Sequence, residues 1–122
     1  MTGMLHLPNG IMVNLSASLW DLTNKQIGNN ELKILSEGLL NNTKLRTLIL
    51  GKNQIGNEGM MYLSEGLRDN HTLKILDITD NSIGNEGLYY LSNVLKDNDT
   101  LKHLGLGNNQ ICLLYTSPSP RD

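Results

Sequence analysis

A 28-residue period runs through the middle of the chain and decides more about its fold than any single residue. Leu45-x-x-Leu48-x-Leu50-x-x-Asn53-x-Ile55-Gly56 returns as Leu73-x-x-Leu76-x-Ile78-x-x-Asn81-x-Ile83-Gly84, and again as Leu101-x-x-Leu104-x-Leu106-x-x-Asn109-x-Ile111. One period earlier stand Ala17, Trp20, Leu22, Lys25, Ile27 and Gly28, which keep the apolar pattern and lose the asparagine. A chain that repeats itself at this spacing stacks copies of one supersecondary unit instead of closing a single core. The repeats are read as 17–44, 45–72 and 73–100, with 101–111 opening a fourth.

Each unit has two halves. Leu48-x-Leu50 alternates with a period of two, which fits a short strand with one buried face. Leu63 with Leu67, and Leu91 with Leu95, are spaced to share one face of a helix. Asn57 and Asn85 are expected to cap the helix starts with their side-chain oxygens, with Glu58 and Glu86 following at the favourable end of the helix dipole. Arg68 and Lys96 fall at the opposite end, where a cation is favoured. Asn42, Asn70 and Asn98 mark the helix exits, and asparagine tolerates the left-handed backbone expected there. Parallel strands joined by helices cross over right-handedly, so the predicted architecture is a curved parallel sheet inside and helices outside. One unit buries too little apolar surface to offset the entropy of ordering its own backbone, so neighbours must supply the rest.

The pattern LxxLxLxxNxIGxxGxxxLxxxLxxN resembles the ribonuclease-inhibitor-like subfamily of leucine-rich repeats, found in ribonuclease inhibitor, the NOD-like receptors and the Ran GTPase-activating proteins. The resemblance spans Ala17 to Ile111 and implies an α/β fold, a right-handed solenoid of 28-residue repeats. It implies that Asn53, Asn81 and Asn109 form a ladder bonded to neighbouring backbones, and that Gly59 and Gly87 allow close helix packing. Glu31 in the glycine position and Lys25 in the asparagine position imply a looser first coil. These families share a scaffold and differ in what they bind. The implied function is a protein-protein interaction module, a fragment of a larger intracellular sensor or scaffold. The alternative is a small-GTPase regulator of the Ran GTPase-activating type, for which no residue here can be assigned as catalytic.

Both ends depart from the period. In residues 1–16, Leu7, Ile11 and Asn14 keep the register of Leu35, Leu39 and Asn42, but Pro8-Asn9-Gly10 interrupts a helix, which leaves an eroded repeat or an N-terminal cap. At the other end Cys112 stands where Gly56 and Gly84 predict glycine. From Cys112 to Asp122 the chain resembles translated sequencing-adaptor sequence, so 112–122 is set aside from the fold and further repeats are expected in the natural protein. A fourth strand without its helix exposes Leu101, Leu104 and Leu106 and opens a route to self-association.

Composition narrows the function. Ten basic and twelve acidic residues leave a net charge of -2. That removes the broad attraction for phosphate backbones or anionic lipid, so neither nucleic acid nor membrane is expected as a partner. The apolar start, broken at Pro8 and without a basic leader, does not read as a signal or a membrane span. With a single cysteine, Cys112, the chain is read as cytoplasmic. Matches to the glycosylation acceptor at Asn14, Asn41, Asn70 and Asn98 follow the repeat, two recurring one period apart, and say little about secretion. His6, His71 and His103 share no register and offer no metal-ligand spacing. His103 and Asp77 are the nearest approach to a base-and-orienter pair, without a serine or cysteine in register beside them. No enzyme activity, cofactor or metal is expected.

Binding residues are sought between the buried strand positions, on the concave face. Aligned by repeat, these form the columns Leu19, Thr47, Ile75, His103; Asp21, Ile49, Asp77, Gly105; Thr23, Gly51, Thr79, Gly107; and Asn24, Lys52, Asp80, Asn108. Ile49 and Ile75 are apolar where folding does not require it, with Asp77, Asp80 and Lys52 around them. An apolar centre with a polar rim is the form of a protein contact. The candidate protein-binding residues are Thr47, Ile49, Lys52, Ile75, Asp77, Asp80 and His103.

Overall fold

The computed structural model describes residues 3–110. These begin with an antiparallel hairpin, β1 (Met4–His6) and β2 (Met12–Asn14), followed by β3 (Leu19–Asp21), α1 (Asn29–Leu39), β4 (Thr47–Ile49), α2 (Asn57–Leu67), β5 (Ile75–Asp77), α3 (Asn85–Leu95) and β6 (His103–Gly105). Strands β3 to β6 form one parallel sheet in sequence order. Leu19 lies beside Thr47, Thr47 beside Ile75 and Ile75 beside His103, so neighbouring strands are offset by one repeat. The strand centres Trp20, Leu48 and Leu76 are buried with Leu35, Leu63 and Leu91 from the helices, so the core lies between sheet and helices. This is the stack of strand–helix units expected from the period, with the parallel sheet on one side and the helices on the other.

Asparagines stitch the coils together in three places. In the turn after each strand, Asn53 Oδ1 accepts the amides of Lys25 and Ile27 at 3.0 and 2.9 Å, while its Nδ2 donates to the Leu22 carbonyl at 2.9 Å. Asn81 serves Ile55 and Leu50 in the same way, and Asn109 serves Ile83 and Ile78. Each asparagine therefore satisfies the preceding coil. Lys25 leaves no gap within the first coil, because Asn53 supplies its bonds. The looser first coil is not found: Ile27, Leu32, Leu35 and Leu39 are all 0% exposed.

The helix starts correct a second expectation. Gly56 and Gly84 are the N-caps of α2 and α3, and Asn57 and Asn85 are the first helical residues, not caps of their own helices. From that position the Asn57 side chain crosses to the next helix. Its Oδ1 accepts the amides of Gly84 and Gly87, both at 2.8 Å, and Asn29 accepts those of Gly56 and Gly59 at 2.9 and 2.8 Å. A cap from the neighbouring coil fills the role usually played within a helix. At α1, Glu31 Oε1 accepts the Gly28 amide at 2.9 Å instead. A Cβ at Gly59 or Gly87 would stand 2.5 or 2.7 Å from the capping oxygen, which is why glycine is needed there and glutamate is possible at residue 31.

The helix exits correct a third. Asn42, Asn70 and Asn98 do not take the left-handed conformation. That backbone occurs after the strands, at Asn24, Lys52, Asp80 and Asn108, with φ of 53, 58, 57 and 54°. At the exits, Asn70 Oδ1 accepts the amides of Thr72 and Leu73, an Asx-type turn, and Nδ2 donates to carbonyls of the preceding coil. Asn42 and Asn98 repeat the arrangement.

The hairpin takes the place of a further coil. Leu7 and Val13 are 5% and 4% exposed and belong to the main core. Asn9 Nδ2 donates to the carbonyls of Lys25 and Gln26, and Trp20 Nε1 to that of Asn14 at 2.9 Å. Residues 112–122 lie outside the described residues.

Candidate protein-binding face

Alternation along three-residue strands sends Trp20, Leu48, Leu76 and Leu104 inward and leaves their neighbours on the open face of the sheet. Two rows result. One runs Leu19, Thr47, Ile75, His103, and the other Asp21, Ile49, Asp77, Gly105. Thr47, Ile49, Ile75, Asp77 and His103 are therefore brought together on one face. Ile49 sits between two aspartates, each about 4.8 Å away by strand spacing.

Both aspartates are held in place. Asp77 Oδ1 accepts the Thr79 amide at 3.0 Å, and its carboxylate lies across Gly105, where a Cβ would come within 3.1 Å of it. Asp21 Oδ1 accepts the Thr23 hydroxyl at 2.7 Å and the Thr23 amide at 3.2 Å. These bonds, hydroxyl first, hold the Asp21 carboxyl below its usual value of 3.8, so it is ionised at neutral pH. Lys52 and Asp80 are placed differently from the other five. They occupy the left-handed turn residues after β4 and β5, where Lys52 donates its amide to the Thr79 carbonyl and Asp80 to that of Gly107. Their side chains stand at the rim of the face, Lys52 exposed and Asp80 half-buried.

His103 and Asp77 do not form a pair. The histidine stands beside Ile75, and the aspartate stands beside Gly105 with its oxygen engaged by Thr79. No group of three metal-capable side chains occurs among the described residues. None of the described helices is long and apolar enough to cross a membrane.

Two residues outside the candidate set extend the apolar part of the face. Leu19 is 52% and Met12 55% exposed, and both line a cleft of about 150 Å³ with Val13, Ala17 and Asp21. Leu19 was legible from its column. Met12 depends on the hairpin, whose only sequence signal was the Pro8-Asn9-Gly10 turn.

Residues 41–64 and 69–92 match a family model described as a leucine rich repeat. Among solved structures, the chain is similar to one titled "Leiomodin-1 Actin-Binding Site 2 (ABS2)", at 25% identity and a TM-score of 0.74. The match covers 78% of this chain and 56% of that one, so this chain spans little more than half of that structure. Comparison with curated proteins finds no match. The repeat period, the parallel sheet with its outer helices and the similarity to leucine-rich repeats together give this chain the fold of a leucine-rich-repeat solenoid.

Proposed function

We propose that the chain is a protein-interaction module whose partner lies across the open strand face, with Thr47, Ile49, Ile75, Asp77 and His103 at the contact and Lys52 and Asp80 at its rim. The observation that carries this reading is Ile49 flanked by Asp21 and Asp77 on a face that folding leaves open. An apolar centre ringed by ordered carboxylates favours a partner surface with apolar and basic residues. The finer reading is a part of a larger cytoplasmic sensor or scaffold with ribonuclease-inhibitor-like repeats, supported by the residue pattern and the single cysteine.

Actin is the first partner to try, because the similar solved structure is titled an actin-binding site. Co-sedimentation with filamentous actin and calorimetric titration with monomeric actin test it directly. With any bound partner, replacing both Ile49 and Ile75 by Asp is expected to weaken binding at least about tenfold. Unchanged binding by the folded double variant would remove the strand face from the proposal.

A further inference from the structure

In each later repeat the strand bonds back to the one before it. Thr47 N–H donates to the Ser18 carbonyl and the Ile49 carbonyl accepts from Leu22, while Arg46 N–H donates to Ser18 and the Gly51 carbonyl accepts from Asn24. One repeat earlier, the same groups are Leu19 N–H, Asp21 C=O, Ser18 N–H and Thr23 C=O. They lie on the outer edge of β3 and of the residues that flank it, and among the described strands β3 pairs with β4 alone. The hairpin does not take their place as a strand, since among the described strands β2 pairs with β1 alone. None of these four groups is bonded by another described residue.

An unpaired strand edge is a template for another strand. Here the edge runs beside the cleft that Met12 and Leu19 line, and beside the ionised Asp21. We infer that the β3 edge is a second docking site, which takes a short extended segment of a partner protein bearing an apolar side chain and a lysine or arginine two residues from it. Alternate side chains of an added strand face the same side. The apolar one enters the Met12–Leu19 cleft and the cation meets Asp21, while the backbone completes the ladder.

A second copy of this chain fits less well. Ser18 to Thr23 carries Asp21 and no cation, so edge-to-edge pairing would bring no positive charge to either aspartate. The edge lies one strand from Ile49 and two from Ile75, and it shares Asp21 with the face around Ile49.

The probe is a phage-displayed library of random hexapeptides selected on the full chain. Enriched peptides are expected to alternate an apolar and a basic residue, and, once synthesised, to slow exchange of the Ser18 and Leu19 amides. N-methylation of the bound peptide along its paired edge should weaken binding at least about tenfold. Two exposed sites give variants: Ser18→Pro removes one outward N–H and keeps the carbonyl that β4 uses, and Leu19→Asp removes the cleft wall. Each should lose binding about tenfold or more while Tyr89→Ala, at an exposed position of α3 away from both faces, does not. If no peptide is enriched, the inference fails. It also fails if enriched peptides bind both edge variants normally, tolerate N-methylation or protect the Ile49 and Ile75 amides instead, and a dimer formed through β3 would replace it with the second copy.

Discussion

Gly59 shows how a residue's value here is set by the neighbouring coil. Within an isolated helix, Gly→Ala stabilises by roughly 0.5–1 kcal/mol. At Gly59 the added Cβ would meet Asn29 Oδ1 at 2.5 Å and an Ile55 methyl at 3.0 Å, breaking the cap that Asn29 gives α2. Gly59→Ala is therefore expected to destabilise by about 1–2 kcal/mol in urea unfolding. Combined with Asn29→Ala it should cost less than the two changes added, because both remove one cap. Asn53→Ala should cost more, about 3 kcal/mol, since it leaves the buried Ile27 amide and Leu22 carbonyl without partners. Asp21 supplies a pH signature. Its carboxyl is depressed in the fold, so its contribution is present above the unfolded value of 3.8 and fades as pH falls through the folded one. Thr23→Ala should raise the Asp21 carboxyl value toward 3.8 in an NMR titration, and no rise would mean that the Thr23 hydroxyl bond is not formed in solution. The sequence showed that these asparagines recur, but not which coil each one serves. Asn57 beside Gly56 looks the same whether it caps its own helix or the next, and only the stacking distance between helices decides.

Among the elements, the hairpin was least legible. Its strands are three residues each, too short for a period of two to declare itself, and Leu7, Ile11 and Asn14 happen to keep the spacing of the helical half-repeat. The three helices and four parallel strands were readable because each recurs at one offset and its core positions recur with it. The hairpin's place in the fold rests on Val13 and Leu7 in the core and on the bond from Trp20 to Asn14. Trp20 is the only tryptophan and is 3% exposed, so its fluorescence reports this junction. Emission should be blue-shifted in the folded chain and move to the red when residues 1–14 are removed. Trp20→Phe keeps an aromatic ring but loses the indole donor and some buried volume, which is expected to cost about 1–3 kcal/mol in urea unfolding. If truncation left the emission unchanged, the hairpin would not be covering Trp20 in solution.

At the scale of the molecule, stability is a sum of coils and the interfaces between them. The columns of the candidate face were legible for the same reason as the fold, since strand pairing at one repeat's offset fixes which residues share a row. The open edge of β3 was not legible, because it depends on what the hairpin leaves unpaired. The described coils are also unequally buried: Leu48, Leu50, Leu76 and Ile78 are closed, whereas Leu104 and Leu106 are half-buried. A nearest-neighbour array with such a gradient opens first where burial is least. Native-state hydrogen exchange should therefore find the Ile55 amide, bonded to Asn81 in a buried setting, slower than the Ile83 amide, bonded to the half-buried Asn109. Both are bonded by the same kind of side chain at 3.0 and 3.1 Å, so local geometry alone predicts equal protection. Equal rates would mean that the coils open as one cooperative unit, and a substitution in any of them, Gly59→Ala included, would then lower the protection of all.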